Sequence, residues 1–360
     1  MTRMKITRDD AFLLWMMHKN PFRAWEIIKK YGSAENYFRS SAGAGCKQDL
    51  ENAVKLANSD DADLRFISCI NPKYPNRLLR IDNPPLGLFV YGELPDDGLP
   101  AVAIIGARDC THYGGKVAFD FAKELAGMGI AIISGMARGL DARAHEGALA
   151  ADGAVLAVLP SGPDVCYPSE NYALYKQIKE RGCIISENFP GTKPRAWSYP
   201  ARNRIVSALA DVLLVVEAGE RSGTSTTVSA ALEQGKDVFA VPGKLSDPMS
   251  VGTNELIKQG AFIATSPLDI LLALKQNSWF DSFFADAKPL LTQNAAQSEK
   301  ILLAHEQALV YACISHDPVT IDYIAYKTGL KVAELNTILL NMELEGLARK
   351  APGNRFVKLP

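Results

Sequence analysis

Lys193 to Arg204 reads KPRAWSYPARNR: four cations (Lys193, Arg195, Arg202, Arg204), no acid, and two aromatic residues, Trp197 and Tyr199, between the basic pairs. Single-stranded nucleic acid is held by cations along its phosphates and by aromatic rings beneath its bases, and this interleaving supplies both. The same residues also admit a structural role, with the aromatics anchoring a loop and Arg204 paired to a core acid such as Glu217.

Three other stretches place small or cationic residues where a phosphate could approach. In AVAIIGAR (Ala101–Arg108) an apolar run ends at Gly106 and delivers Arg108, which either binds phosphate or tethers a loop. In SGMARGLDARAHEGAL, Gly135 and Gly139 permit a tight turn, and Arg138 with nearby backbone N–H groups suits an anion. Asp141 is placed to cap the helix that follows. With His145 one turn on it lacks the further ligands a metal would need, so His145 is expected to pack. In ERSGTSTTVSA, Ser222-Gly223-Thr224 opens a hydroxyl-rich helix, a phosphate cradle or a simple N-cap.

Several chemistries are excluded. No GxGxxG follows Ile105, and the next strand ends in Ser134-Gly135 without the acid that would hold a ribose, so a nicotinamide cofactor is not expected. No Walker lysine follows Thr224. The six cysteines form no CxxC pair, which points to a reducing compartment, and Cys183 reads as a core residue. No cofactor or metal is expected. The N-terminus shows no signal-peptide pattern and no apolar run reaches membrane-spanning length, so a cytoplasmic protein is expected. The 360 residues carry a net charge of -1, so any attraction for a polyanion must be local.

The elements that position these residues alternate. Strands are predicted at Ala101–Gly106, Ile130–Ser134, Ala154–Leu159, Cys183–Glu187, Val212–Glu217 and Val238–Val241. Helices fall between or after them at Gly114–Gly127, Asp141–Ala151, Ser169–Lys179, Arg202–Ala208, Thr224–Gln234, Gly252–Gln259 and Pro267–Leu274. Apolar strands alternating with helices call for right-handed crossovers and a mostly parallel, doubly wound, Rossmann-like α/β sheet. In such sheets ligands sit at the carboxyl ends of the strands.

Four segments are expected: residues 1–62, a small helical domain that packs or contacts DNA; 63–276, the Rossmann-like domain with its connector; 277–300, a linker; and 301–360, a winged helix. The connector contains a candidate edge strand, Leu86–Tyr91. Trp279, Phe280, Phe283 and Phe284 would anchor the first half of the linker. The winged helix is read from helical patterns at Ile301–Ile314, Ile321–Thr328 and Val332–Glu343, then a hairpin around Pro352-Gly353-Asn354. Its third helix carries Glu334 and Glu343 and no internal cation. Only the wing is basic (Arg349, Lys350, Arg355, Lys358), so this unit is expected to contact protein, or DNA weakly.

Taken together, IIGAR, SGMARGLDARAH, the run Tyr167–Leu174, ISENFPG, YPARNRI, VVEA with RSGT, VFAVPG and GTNELIKQGA closely resemble the DNA-processing protein A family (DprA, also called Smf). The resemblance implies a non-catalytic protein that binds single-stranded DNA without sequence preference and forms homodimers through its Rossmann-like domain. It would protect incoming DNA and load RecA recombinase in natural transformation and homologous recombination. It places Gly106, Arg108, Arg138, Ser222, Gly223 and Thr224 on the strand ends of the family's DNA groove, and Lys193, Arg202 and Arg204 in its basic loop. With Gly135, Arg195, Trp197 and Tyr199 these are the expected DNA-binding residues. The family carries Gly at the position of Met136 and Phe at that of Tyr199. The N-terminal helices resemble the family's sterile-alpha-motif-like domain. The alternative is a nucleotide phosphoribohydrolase resembling lysine-decarboxylase-like proteins. That class needs a Glu just inside the helix after its phosphate loop, whereas the first acid after Thr224 is Glu233.

Overall fold

The structure, a computed structural model, describes residues 6–20, 23–58, 61–220, 222–275, 307, 309–311, 313–314, 318–344, 347–351 and 355–358. The chain divides into two compact units, Met1–Asp281 and Ser282–Pro360. The linker 277–300 with its four aromatics, most of the helix expected at Ile301–Ile314, and the turn Pro352-Gly353-Asn354 lie outside the described residues.

The first unit is built on a nine-stranded sheet. Its strands are β1 (Arg65–Ser68), β2 (Gly87–Gly92), β3 (Ala101–Ile105), β4 (Ala131–Ser134), β5 (Val155–Val158), β6 (Cys183–Ser186), β7 (Val212–Val215), β8 (Asp237–Ala240) and β9 (Phe262–Ile263). They lie in the order β1-β2-β6-β5-β4-β3-β7-β8-β9. From β6 to β9 all neighbours are parallel. Every residue of β3 is buried, as a continuous apolar run requires of a strand covered on both faces. Ala101, Ala103 and Ile105 join one core cluster with Ile133, Leu156, Val158, Ile205, Val206 and Leu209.

The connector adds two antiparallel strands to this sheet. β2, expected at the edge, lies inside between β1 and β6. β1 escaped the sequence reading because four residues bounded by Asp63 and Asn71 show little alternation.

The order of the parallel strands fixes where a ligand can enter. From β3 the chain runs outward through β4, β5 and β6, then returns across the sheet to β7 on the other side of β3. The loops leaving β3 and β7 therefore part from each other, which opens a crevice at the carboxyl end of these two strands. Helices α1 (Arg8–Lys19), α2 (Ala24–Tyr31), α3 (Ala34–Arg39) and α4 (Lys47–Ala57) form the N-terminal set, which packs Phe12 and Trp15 edge-on against Phe38. His18 meets Phe189 and the Trp25 indole N–H donates to the Pro84 carbonyl, so these helices are seated on the α/β body.

Helix α5 (Asn76–Leu79) covers part of the core. The crossovers are α6 (His112–Gly127), α7 (Leu140–Ala150), α8 (Tyr172–Arg181), α9 (Ser198–Leu209), α10 (Thr224–Glu233), α11 (Val251–Lys258) and α12 (Pro267–Lys275). α9 begins four residues before the expected Arg202. Pro200 reads as a break, but it sits in the first turn, where its missing N–H has no intrahelical acceptor to lose. The Ser198 hydroxyl holds that turn, accepting from the Arg195 N–H at 3.0 Å and donating to the Arg195 carbonyl at 2.7 Å.

In the second unit, α13 (Ile321–Thr328), α14 (Val332–Leu344) and the sheet β10 (Val319–Thr320), β11 (Ala348–Ala351), β12 (Arg355–Lys358) make a winged helix. The strand order is β10-β12-β11. Ile321, Ile324, Leu335, Leu339 and Phe356 form its core.

Candidate nucleic-acid interface

Two adjoining clefts lie across the carboxyl ends of β5, β4, β3 and β7. The first, about 640 Å³, runs from Gly106 and Arg108 to Gly219 and Ser222–Thr227. The second, about 370 Å³, runs from Arg108 to Pro160 and Tyr167–Glu170. Arg108, Gly135, Ala137, Tyr199 and Arg202 belong to both, so the two form one groove.

At the centre, the Arg108 guanidinium lies over the Tyr199 ring, 5.1 Å from its centroid. Arg108 is exposed and makes no ion pair among the described residues. The Tyr199 ring in turn meets the Tyr167 ring edge-on at 6.4 Å. Tyr167, which lines the second cleft, is 45% exposed; Trp197 is 42% exposed and lines neither cleft. Burial, with the neighbouring Tyr167 hydroxyl, raises the Tyr199 phenol above its ordinary value, so it stays a neutral hydrogen-bonding group near neutrality.

The turn after β4 is the most tightly determined part. Gly135 has no side chain because Arg202 occupies the space, and an added Cβ would overlap its guanidinium. Arg202 is only 6% exposed. It donates to the carbonyls of Gly135 and Val158, the latter at 2.7 Å, and to the Asn203 amide oxygen at 3.0 Å. It therefore forms the floor of the groove. This corrects the expectation of a free cation in a basic loop, since a buried guanidinium must spend its donors on acceptors within the protein.

Asp141, also buried, balances its charge. Burial raises the Asp141 carboxyl, against the opposing pull of Arg202 and of the N–H groups of Ala137 and Gly135. Its Oδ2 accepts those two bonds at 3.3 and 3.1 Å. The expected N-cap is thus corrected: Asp141 clamps the preceding turn, and Gly139, at φ +74°, occupies the cap position. Met136 is fully buried at φ +58°. The Asn171 amide fixes that strained turn by donating to the carbonyls of Met136 and Ala137 at 2.9 and 3.1 Å.

Arg204 is the second correction. It pairs with Glu187 at 2.6 Å, both side chains about one-fifth exposed, and it lines neither cleft. Glu217, the partner suggested by sequence, instead accepts from the Thr111 N–H at 2.9 Å and from the Thr111 hydroxyl at the start of α6. Arg138 is exposed on the rim, with Asp109 at 3.8 Å. Lys193 and Arg195 are exposed on the loop that brings Ala196 to the cleft wall, and neither makes an ion pair among the described residues. Ser222 accepts from the Thr224 N–H and hydroxyl, and Gly223 has open space where a Cβ would stand.

Sequence reasoning missed Tyr167, Asn171, Asn203, Thr226, Thr227 and Met249. The signal for Tyr167 and Asn171 was present in the run from Tyr167 to Leu174. Among the described residues no group of His, Cys, Asp and Glu could hold a metal ion, and no helix is long and apolar enough to cross a membrane.

Fold and groove together define a Rossmann-like α/β protein whose strand ends offer cations, hydroxyls and aromatic rings to an extended anionic ligand. The family described as DNA recombination-mediator protein A matches residues 65–275, and the DprA winged helix domain matches residues 293–354. Protein Smf of Escherichia coli is 36% identical over 287 residues, 79% of this chain and 75% of that protein. The crystal structure of DNA processing protein A from Streptococcus pneumoniae aligns with a TM-score of 0.62 at 32% identity, covering 75% of this chain and 98% of that one. A structure of the Helicobacter pylori protein, described as giving insight into its single-stranded DNA binding mode, aligns with a TM-score of 0.52 at 32% identity over 59% of this chain and 96% of that one. The chain belongs to the DprA/Smf family.

Proposed function

We propose that the protein binds single-stranded DNA along this groove, without sequence preference and without catalysis. Phosphates would meet Arg108, Arg138, the exposed Lys193 and Arg195, and the start of α10, while bases stack on Tyr199, Trp197 and Tyr167. The observation that carries the reading is the exposed Arg108 guanidinium, free of any ion pair among the described residues, over the Tyr199 ring where the two clefts meet. Unpaired bases can enter such a groove and a duplex cannot present them, so single strands are favoured.

The family's recombination role comes with this reading: protection of incoming DNA, loading of RecA recombinase and homodimerisation through the Rossmann-like domain. A phosphoribohydrolase is disfavoured because Thr224 to Leu232 contains no acid. The groove's Asp141 is also held by backbone N–H groups and Arg202. Titration of a fluorescent oligothymidylate against the full chain over a salt series tests the reading. Tight, salt-sensitive binding supports it, and release of free base from nucleoside monophosphates with no strand binding would replace it with the enzyme.

A further inference from the structure

The second cleft contains a group that a track for phosphates does not need. Glu170 lines it, is exposed, and makes no ion pair among the described residues. Its Oε2 accepts from the Ser169 hydroxyl at 3.3 Å. Arg108 and Arg138 line the same cleft, yet the first lies over the Tyr199 ring and the second has Asp109 at 3.8 Å, and neither is in ion-pair contact with Glu170. The position of Glu170 is fixed through its neighbour. It is the middle residue of a single 3-10 turn, Ser169–Asn171, and the Asn171 amide bonds the carbonyls of Met136 and Ala137 at 2.9 and 3.1 Å. An ionised carboxylate there repels phosphates and can only accept hydrogen bonds. The part of an unpaired strand that it can engage is therefore the edge of a base.

The rest of this cleft suits a base. Tyr167 and Tyr199 supply rings, Arg108 and Arg138 supply cations for the flanking phosphates, and the volume of about 370 Å³ is that of a small-ligand pocket. Unpaired bases are read by stacking on aromatic rings and by hydrogen bonds to their Watson–Crick edge. We propose that the second cleft takes one base of the bound strand and that Glu170 accepts a hydrogen bond from its exocyclic amine, so that at this one position cytosine is preferred to thymine or uracil. Cytosine presents its N4 amine as a donor, whereas thymine and uracil present the O4 acceptor in its place, which a carboxylate repels. The inference rests on the reading of the groove as a strand-binding site and narrows its sequence tolerance at a single nucleotide. Elsewhere along the groove, stacking and phosphate contacts do not distinguish one base from another.

Fluorescence anisotropy of the full chain with two strands of equal length, oligodeoxycytidylate and oligodeoxyuridylate, tests it. The two bases share one ring size and lack the thymine methyl, so they differ at the amine and the neighbouring ring nitrogen. A buffer near pH 8 keeps the cytosine strand from self-pairing. The wild type should bind the cytosine strand about fivefold or more tightly than the uracil strand, the discrimination expected of a specific contact to a base edge. Glu170→Gln should strengthen binding of the uracil strand and weaken binding of the cytosine strand, bringing the two within about twofold, because an amide both donates and accepts. Glu170 is exposed, so the variant should melt as the wild type does. Equal affinity of the wild type for both strands refutes the base contact while the groove stands. So does a Glu170→Gln variant that binds both strands more tightly in the same proportion, since the carboxylate then only repels phosphates. If neither strand binds the wild type, the reading of the groove falls as well.

Discussion

Replacing Arg108 by Ala should separate binding from folding. In the free protein its guanidinium makes one packed contact, with the Tyr199 ring at 5.1 Å, and no ion pair among the described residues. An exposed cation–π contact contributes about 0.5–1 kcal/mol, so the variant should lose no more than about 1 kcal/mol of stability. A charge-assisted bond to a phosphate contributes about 1.5–3 kcal/mol, which makes the expected loss of DNA affinity at least roughly tenfold. Each phosphate contact to a single strand adds about 0.7 to the slope of log affinity against log salt, and the variant's slope should shrink by about that amount.

Arg204→Ala is the matched control. It strips Glu187 of its partner at 2.6 Å, with both groups about one-fifth exposed. The stability loss should therefore fall toward the lower end of the about 3–5 kcal/mol seen when a buried pair is broken. Its salt slope should not change. Urea unfolding gives the stabilities, and anisotropy of a fluorescent oligothymidylate over a salt series gives the slopes. Wild-type affinity and slope for Arg108→Ala, or a flattened slope for Arg204→Ala, would refute the assignment of these two arginines.

Other outcomes follow from the groove floor. Gly135→Ala pushes a methyl into the Arg202 guanidinium, and should lower stability by about 1–3 kcal/mol and weaken DNA binding together, checked by thermal melting and anisotropy. Met136→Gly relieves about 1–2 kcal/mol of left-handed backbone strain but empties the site of a fully buried side chain, worth about 2–5 kcal/mol, so the net effect in urea unfolding should be destabilising. His145 is fully buried with neither ring nitrogen partnered, and burial, with Arg202 nearby, pushes its imidazole down to about 3. The unfolded chain then binds a proton that the folded one refuses between about pH 6.5 and 3, so this residue removes about 1.4 kcal/mol of stability per pH unit as pH falls through that window. His145→Leu should therefore gain stability over the wild type progressively below pH 6.5, read from unfolding curves, and a constant difference between the two proteins would contradict it.

The parallel core was legible because β3 to β8 are short apolar runs separated by helical patterns, and covered strands need little else to be recognised. β1 was not, because four residues with weak alternation gain their place only by pairing with β2. In the site, Gly106, Arg108 and the Ser222–Thr224 turn were legible because residues next to apolar strands are delivered to one end of the sheet. Arg202 and Arg204 illustrate the limit. They stand two apart in one basic run, yet one lies under Gly135 and the other on Glu187. Which cation stays free is settled by acceptors far away in sequence, Val158, Gly135 and Glu187, and no local pattern encodes them.

The central claim is that the strand ends of β5, β4, β3 and β7 form one path for an unpaired strand. Photo-cross-linking of an iodouracil-substituted oligonucleotide to the full chain, with the adducts mapped by mass spectrometry, tests this most directly. Adducts should concentrate on Tyr199, Trp197 and Tyr167. Adducts confined to the winged helix at 318–358 or to the N-terminal helices, with these three rings unmodified, would contradict it.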